Sequence, residues 1–213
     1  MSRQKYWMDI ITHVIGVPLA IVGTMHLYER SLSADFSVQI GCMLYGCMFA
    51  LMYLASTIYH IMAVTAYEEF WDKVDRSAIF CTIAATITAI GLVLPGIQYE
   101  ILIMGVPLPT IVIASVWTIA GLGCFLEFKF GEAWHKYLYV LYVAQSLLGF
   151  IQVDPIELLS TPHLLVLAGL LSFGLGAIHF FRLGKKYDLY HSWWHVSVLI
   201  GSAMVFLALW FSL

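Results

Sequence analysis

The chain has 213 residues, of which 62% are hydrophobic and 11% are charged, and its formal net charge is −3. Ordinary soluble domains carry roughly a quarter charged residues, so the composition excludes a soluble globular domain. The few basic residues are scattered along the chain, which excludes the basic stripe that follows nucleic acid, and no nucleic-acid partner is expected.

Seven apolar stretches follow one another, at about 10–27, 37–60, 77–95, 108–126, 137–153, 163–182 and 192–212. A hydrocarbon layer of about 30 Å needs about twenty helical residues, so each stretch is a candidate span. Charged or proline-bearing segments separate them, and the charged segment 67–76 is the predicted break before the third helix. The connections are too short for another domain, so residues 1–213 are predicted to form one all-α bundle of seven transmembrane helices.

Lysine and arginine residues predict the orientation of this bundle. With seven crossings, Arg30 lies on one side and nine basic residues lie on the other: Arg3, Lys5, Lys73, Arg76, Lys129, Lys136, Arg182, Lys185 and Lys186. Basic loops stay in the cytoplasm, so we expect a protein of the cytoplasmic (plasma) membrane with its N-terminus inside and its C-terminus outside. This orientation disfavours a G-protein-coupled receptor, and the lack of a lysine beyond Lys186 disfavours a retinal protein.

Polar residues that a bilayer makes costly fall at one end of the predicted bundle. Ser56 and His60 end the second helix, Asp75 begins the third, and His191 and His195 begin the seventh. The last two are four residues apart, so they share a helix face and can reach one ion, with His60 as a third nitrogen. Three imidazoles form a known catalytic zinc set with a fourth position open. The sequence therefore predicts a zinc site.

Two further residues complete this hypothesis. Asp75 is the candidate to orient the attacking water or take its proton, and the Ser56 hydroxyl is placed to bond Asp75, a ligand ring or an oxyanion. Each residue alone has a plainer interpretation: two interfacial histidines, a solvated loop aspartate, and a serine bonded to its own helix. By the same reasoning, His13 is interpreted as an interfacial or packing histidine.

Four segments resemble, in order, the motifs of the progestin and adipoQ receptor family of hemolysin III type. They are Thr12-His13, Ser56-Thr57-Ile58-Tyr59-His60, Val74-Asp75-Arg76-Ser77-Ala78-Ile79 and His191-Ser192-Trp193-Trp194-His195-Val196. The resemblance implies seven helices with a cytoplasmic N-terminus. It also implies a zinc ion near the inner leaflet, held by His60, His191 and His195, with Asp75 holding the reacting water.

The first motif is only partial. The family usually has an acidic residue and an asparagine ahead of its histidine, and this chain has Tyr6 and Asp9 at those spacings from His13. We place both residues outside the predicted metal shell, so the mismatch concerns substrate handling or helix packing more than zinc binding.

The same residue set recurs in the related alkaline ceramidases, and this implies the chemistry. We expect a zinc-dependent integral membrane hydrolase that acts on a lipid amide or ester and serves membrane lipid homeostasis, with membrane lipids as substrate or ligand. The alternatives are a zinc-stabilised membrane receptor or sensor without turnover, and a pore-forming hemolysin-like protein. The pore is disfavoured because the spans lack the rings of charge expected along a conducting path.

Overall fold

The computed structural model describes residues 3–183 and 189–213, and the side chains of residues 3–6, 136, 179–183 and 189–191 lie outside that description. Within it the chain is almost entirely helical: α1 (Arg3–Ser31), α2 (Phe36–Met62), α3 (Glu68–Val93), α4 (Leu108–Phe130), α5 (His135–Leu148), α6 (Thr161–Leu183) and α7 (Leu189–Ser212). Six of these described helices are long and apolar enough to cross a membrane, and the shorter apolar segment Tyr137–Gln152 contains most of α5. The predicted all-α polytopic membrane bundle is confirmed.

Helix α3 begins earlier than the sequence analysis predicts. The charged segment 67–76 was expected to be a break, but α3 begins at Glu68. Asp72 and Arg76, four residues apart, form an ion pair of 3.0 Å that supports the helix, and the acidic first turn suits the helix dipole. Asp75 therefore lies two turns inside α3 and not at its start.

Two clusters of buried apolar side chains fill the bundle. The larger one is built from α1, α2, α3, α6 and α7, and the smaller one from α3, α4 and α5. Helix α3 lines both, with Ala89 and Val93 in the larger cluster and Phe80 and Ala84 in the smaller one. Both clusters therefore pack against α3.

Helix α1 packs against both α2 and α7. A Cβ atom on Gly16 would lie 2.6 Å from the Tyr53 ring, so glycine is what allows the close approach of α1 to α2. Near the other end of α1, Arg30 Nε donates to the Trp210 carbonyl at 3.0 Å, and the guanidinium carbon lies 4.8 Å from the centre of the Trp210 ring. These contacts bring the first, second and seventh helices side by side.

A short hairpin not predicted from the sequence lies between α3 and α4. It consists of β1 (Leu102–Ile103) and β2 (Val106–Pro107), which pair antiparallel. The turn residues Met104 and Gly105 have φ values of 52° and 82°, as a tight two-residue hairpin turn requires. The hairpin lies at the end of the bundle opposite to the N-terminus of α1.

Candidate metal centre

Three histidines from three helices meet inside the bundle. His13 lies on α1, His60 near the end of α2 and His195 on α7, and their exposed fractions are 4%, 6% and 2%. The ring centres of His13 and His195 are 3.9 Å apart, and those of His60 and His195 are 4.9 Å apart. One nitrogen of each ring lies within 4.8 Å of the others. We call these three residues the histidine cluster.

The histidine cluster shares two members with the predicted ligand set. His60 and His195 are brought together as expected, from opposite ends of the sequence. His191 is one turn before His195 on α7, but its side chain lies outside the described residues. The structure therefore places two of the three predicted ligands in one site.

His13 is the member that sequence reasoning set aside. It belongs to the same end of the bundle as His191 and His195, because α1 and α7 both begin at that end. A second signal was the spacing of Asp9, His13 and Gly16, which follows a helical repeat and forms one buried face of α1. Considered alone, His13 resembled a packing residue.

Hydrogen bonds connect α1 to His195. Thr12 Oγ1 lies 2.9 Å from Nδ1 of His195, and it also lies 2.9 Å from the Met8 carbonyl oxygen. The Asp9 carboxylate is 1% exposed and accepts a hydrogen bond of 2.7 Å from Ser192. The same Asp9 oxygen is 3.9 Å from Nδ1 of His195. Asp9 thus lies next to His195 and is not itself a member of the histidine cluster.

Ser56 and Asp75 lie on neighbouring helices of the same end. Ser56 is 4% exposed, one turn before His60 on α2, and its hydroxyl interacts with the Asp75 carboxylate of α3. The Tyr59 ring centre is 4.9 Å from that of its neighbour His60. Ser56 thus lies beside Asp75 and one turn from His60, and Asp75 itself is not among the described residues that form the histidine cluster.

The donor set of the histidine cluster fits a zinc ion. Neutral imidazole nitrogen is a preferred zinc ligand, and bonds of about 2.0–2.1 Å in a tetrahedron place neighbouring ligand atoms about 3.3 Å apart. The nitrogens of the histidine cluster, all within 4.8 Å of one another, reach that spacing by small side-chain rotations. All three rings are buried, as the ligands of an ion held inside the bundle would be.

A second polar cluster lies at the same end, between α3, α4 and α5. Asp72, Glu127 and His135 each offer an atom within 4.8 Å of the others. Here Arg76 supplies the positive charge: its Nη2 atom is 3.0 Å from Asp72, and its Nε atom is 3.7 Å from Glu127. We read this second cluster as an ion network that connects three helices. The sequence analysis singled out neither Asp72 nor Glu127.

Comparison with known proteins gives concordant matches over nearly the whole chain. The family model described as haemolysin-III related matches residues 1–206. Hemolysin-3 of Bacillus cereus is 30% identical over 206 residues, covering 95% of this chain and 89% of the relative. Hemolysin-3 homolog of Bacillus subtilis (strain 168) is 26% identical over 209 residues, covering 95% and 92%.

Proposed function

We propose that this chain, which belongs to the haemolysin-III-related family of membrane proteins, is a zinc-dependent hydrolase of a lipid amide or ester. The observation that carries the proposal is the buried histidine cluster at one end of an otherwise apolar bundle. Ionisable side chains inside a membrane protein are costly and mark functional sites. The concentration of imidazoles at one point supports a metal-binding function.

Three imidazoles hold the zinc ion in this proposal. His60 and His195 belong both to the set implied by family resemblance and to the set found by geometry. The third ligand is either His191, which the family resemblance implies, or His13, which lies close to the other two. The zinc content of the single variants His191→Ala and His13→Ala decides between them. Three protein ligands leave one coordination position for a reactant, as a catalytic site needs.

Bound zinc would supply Lewis-acid chemistry, which makes a water reactive near neutral pH and polarises a carbonyl. The Asp75 carboxylate then orients the attacking water and accepts its proton. Ser56 holds that carboxylate in place through its hydroxyl. The leaving amine or alcohol takes its proton back from Asp75, so the group ends the reaction as it began.

The depth of the site favours a lipid substrate. His60 is two residues before the end of α2, and His195 is six residues after the start of α7. At about 1.5 Å per residue these positions are about 3 Å and about 9 Å from the helix ends. The amide or ester group of a lipid lies at this level while its acyl chains remain in hydrocarbon. With the N-terminus inside, as the basic residues predict, the substrate belongs to the cytoplasmic leaflet, where hydrolysis would serve lipid homeostasis.

Membrane lysis is a second candidate, favoured by the name Hemolysin-3 of the Bacillus cereus relative. A hydrolase that cleaves bilayer lipids and a pore both release vesicle contents, but only the hydrolase needs Asp75. Dye release from liposomes should therefore be compared between the parent and Asp75→Asn. Release that persists in the variant without lipid cleavage would support a pore.

The decisive experiment is lipid hydrolysis by the purified protein. Incubation with a membrane lipid extract, followed by mass spectrometry, should detect released fatty acid, and a zinc chelator should abolish the release. His26→Ala is the matched control, since His26 is exposed on α1 and lies about one turn from Arg30 at the far end. If zinc-loaded protein cleaves no lipid in the extract, the hydrolase assignment is wrong and a zinc-stabilised sensor replaces it.

A further inference from the structure

The geometry points to Thr12 as the residue that fixes the tautomer of His195, so that Nε2 is the nitrogen left to bind metal. This inference rests on the proposed zinc site and concerns how the site is held. It begins from the distance of 2.9 Å between Thr12 Oγ1 and Nδ1 of His195, two atoms from the first and the last helix.

The direction of this hydrogen bond follows from the other contacts of Thr12. Its hydroxyl has one hydrogen, and the carbonyl oxygens of Met8 and Asp9 lie 2.9 Å and 3.0 Å from Oγ1. A threonine in a helix commonly donates to the carbonyl four residues earlier. With its hydrogen used in this way, Oγ1 faces His195 with a lone pair, so it accepts a hydrogen bond from Nδ1–H.

Asp9 favours the same tautomer independently. Its carboxylate oxygen is 3.9 Å from Nδ1 of His195 and accepts the Ser192 hydroxyl at 2.7 Å. A buried negative charge near Nδ1 favours a hydrogen on that atom over a lone pair. Ser192 is three residues before His195 on α7, so its bond to Asp9 also holds this part of α7 against α1.

Metal-binding histidines generally donate their second ring N–H to a carboxylate, a carbonyl or a similar acceptor, and this fixes both tautomer and ring orientation. In this chain the acceptor is the Thr12 hydroxyl, and the Asp9 carboxylate lies 3.9 Å from the same ring nitrogen. Thr12 and Asp9 are therefore positioning residues, which act on the ion through His195 and do not touch it themselves.

The first test measures zinc affinity by competition with a chromophoric chelator. Thr12→Val keeps the shape and removes the acceptor, so affinity should fall about 10 to 100-fold, the usual cost of losing such a partner. Thr12→Ser retains the hydroxyl and should restore parental affinity. Thr118→Val is the matched control, because its hydroxyl also bonds the carbonyl four residues back but lies on α4 away from the cluster. Asp9→Asn should lower affinity by a smaller factor.

The second test reads the tautomer directly in metal-free protein. Nitrogen-15 NMR of histidine-labelled protein should show His195, assigned by its loss in His195→Ala, with hydrogen on Nδ1. Thr12→Val should change this to a mixture of tautomers, and Thr12→Ser should not.

Three results would overturn the inference: parental zinc affinity in Thr12→Val, failure of Thr12→Ser to restore it, or an Nε2–H tautomer in the parent. A zinc affinity of Asp9→Asn equal to that of the parent would mean that Asp9 does not help to fix the tautomer of His195. If the parent bound no zinc while its His195 had the Nδ1–H tautomer, the zinc site would fail and the role of Thr12 would stand.

Discussion

Glu127 at the end of α4 and His135 at the start of α5 are joined by a contact of 3.1 Å between Oε1 and Nε2, although Glu127 has no exposed surface. The second oxygen of Glu127 has no hydrogen-bond partner among the described residues. A buried carboxylate depends on its neighbours, so Glu127 is the most vulnerable member of the ion network.

We therefore expect Glu127→Ala to destabilise the bundle by on the order of 3 kcal/mol, because it leaves the half-buried Arg76 and His135 without their shared partner. Thermal unfolding in detergent measures this. Glu69→Ala is the matched control: its carboxylate also pairs with a basic residue of α3, but it is exposed and should change the unfolding temperature little. Equal stability of the two variants would show that the network contributes nothing.

Elemental analysis of purified protein should find about one zinc per chain, since three imidazoles and one open position complete a tetrahedral site. His60→Ala should abolish binding, as should the double replacement of His191 and His195. Full zinc occupancy in the double variant would contradict the ligand assignment. His163→Ala removes a buried histidine near the start of α6 and should leave the zinc content unchanged.

Asp75→Asn separates catalysis from metal binding. The amide keeps the shape and one hydrogen-bonding oxygen but loses the negative charge, so lipid hydrolysis should fall about 100 to 10,000-fold. Zinc content and the unfolding temperature should stay close to those of the parent, because Asp75 is proposed to act on water and not on the ion. Undiminished hydrolysis would mean that Asp75 is not the base.

The orientation of the chain can be tested with a reporter fused after Leu213. Nine basic residues on the side of the N-terminus predict an extracytoplasmic C-terminus. An active periplasmic or external reporter is the expected result. A cytoplasmic signal would mean that the bundle is inserted in the opposite orientation, since α1 and α7 begin at the same end of it.

Gly16→Ala tests the close packing that holds His13 near His60. The added methyl would lie 2.6 Å from the Tyr53 ring, and overpacking of this kind costs about 1–3 kcal/mol. We expect a lower unfolding temperature together with weaker zinc binding, because α1 must move away from α2. Gly121→Ala is the control, since no atom lies within 4 Å of the added methyl. Identical behaviour of both variants would show that α1 and α2 tolerate separation.

The apolar stretches predicted the helices well because the bilayer imposes length and hydropathy directly on the sequence. The start of α3 was misplaced for a local reason: the charges of Asp72 and Arg76 read as a loop, whereas they pair along the helix surface. The β1–β2 hairpin was not predicted because strands of two residues are too short to show an alternation of apolar and polar residues in the sequence.

The site was predictable where topology constrains it. His60 and His195 follow from the rule that even helices end where odd helices begin, and the structure brings them together. His13 obeys the same rule, but a single histidine was weighed without its neighbours Asp9 and Thr12. The grouping of Asp72, Glu127 and His135 depends on the rotation of three helices about their axes, which spacing in the sequence does not determine.

The joining of α1 to α7 has a consequence for biosynthesis. His13 and His60 enter the membrane early, whereas His195 belongs to the last helix to leave the ribosome. Until α7 is inserted, the imidazoles of α1 and α2 lack the cover that α7 provides. A chain that stalls before α7 would therefore expose polar side chains to lipid or to the insertion machinery.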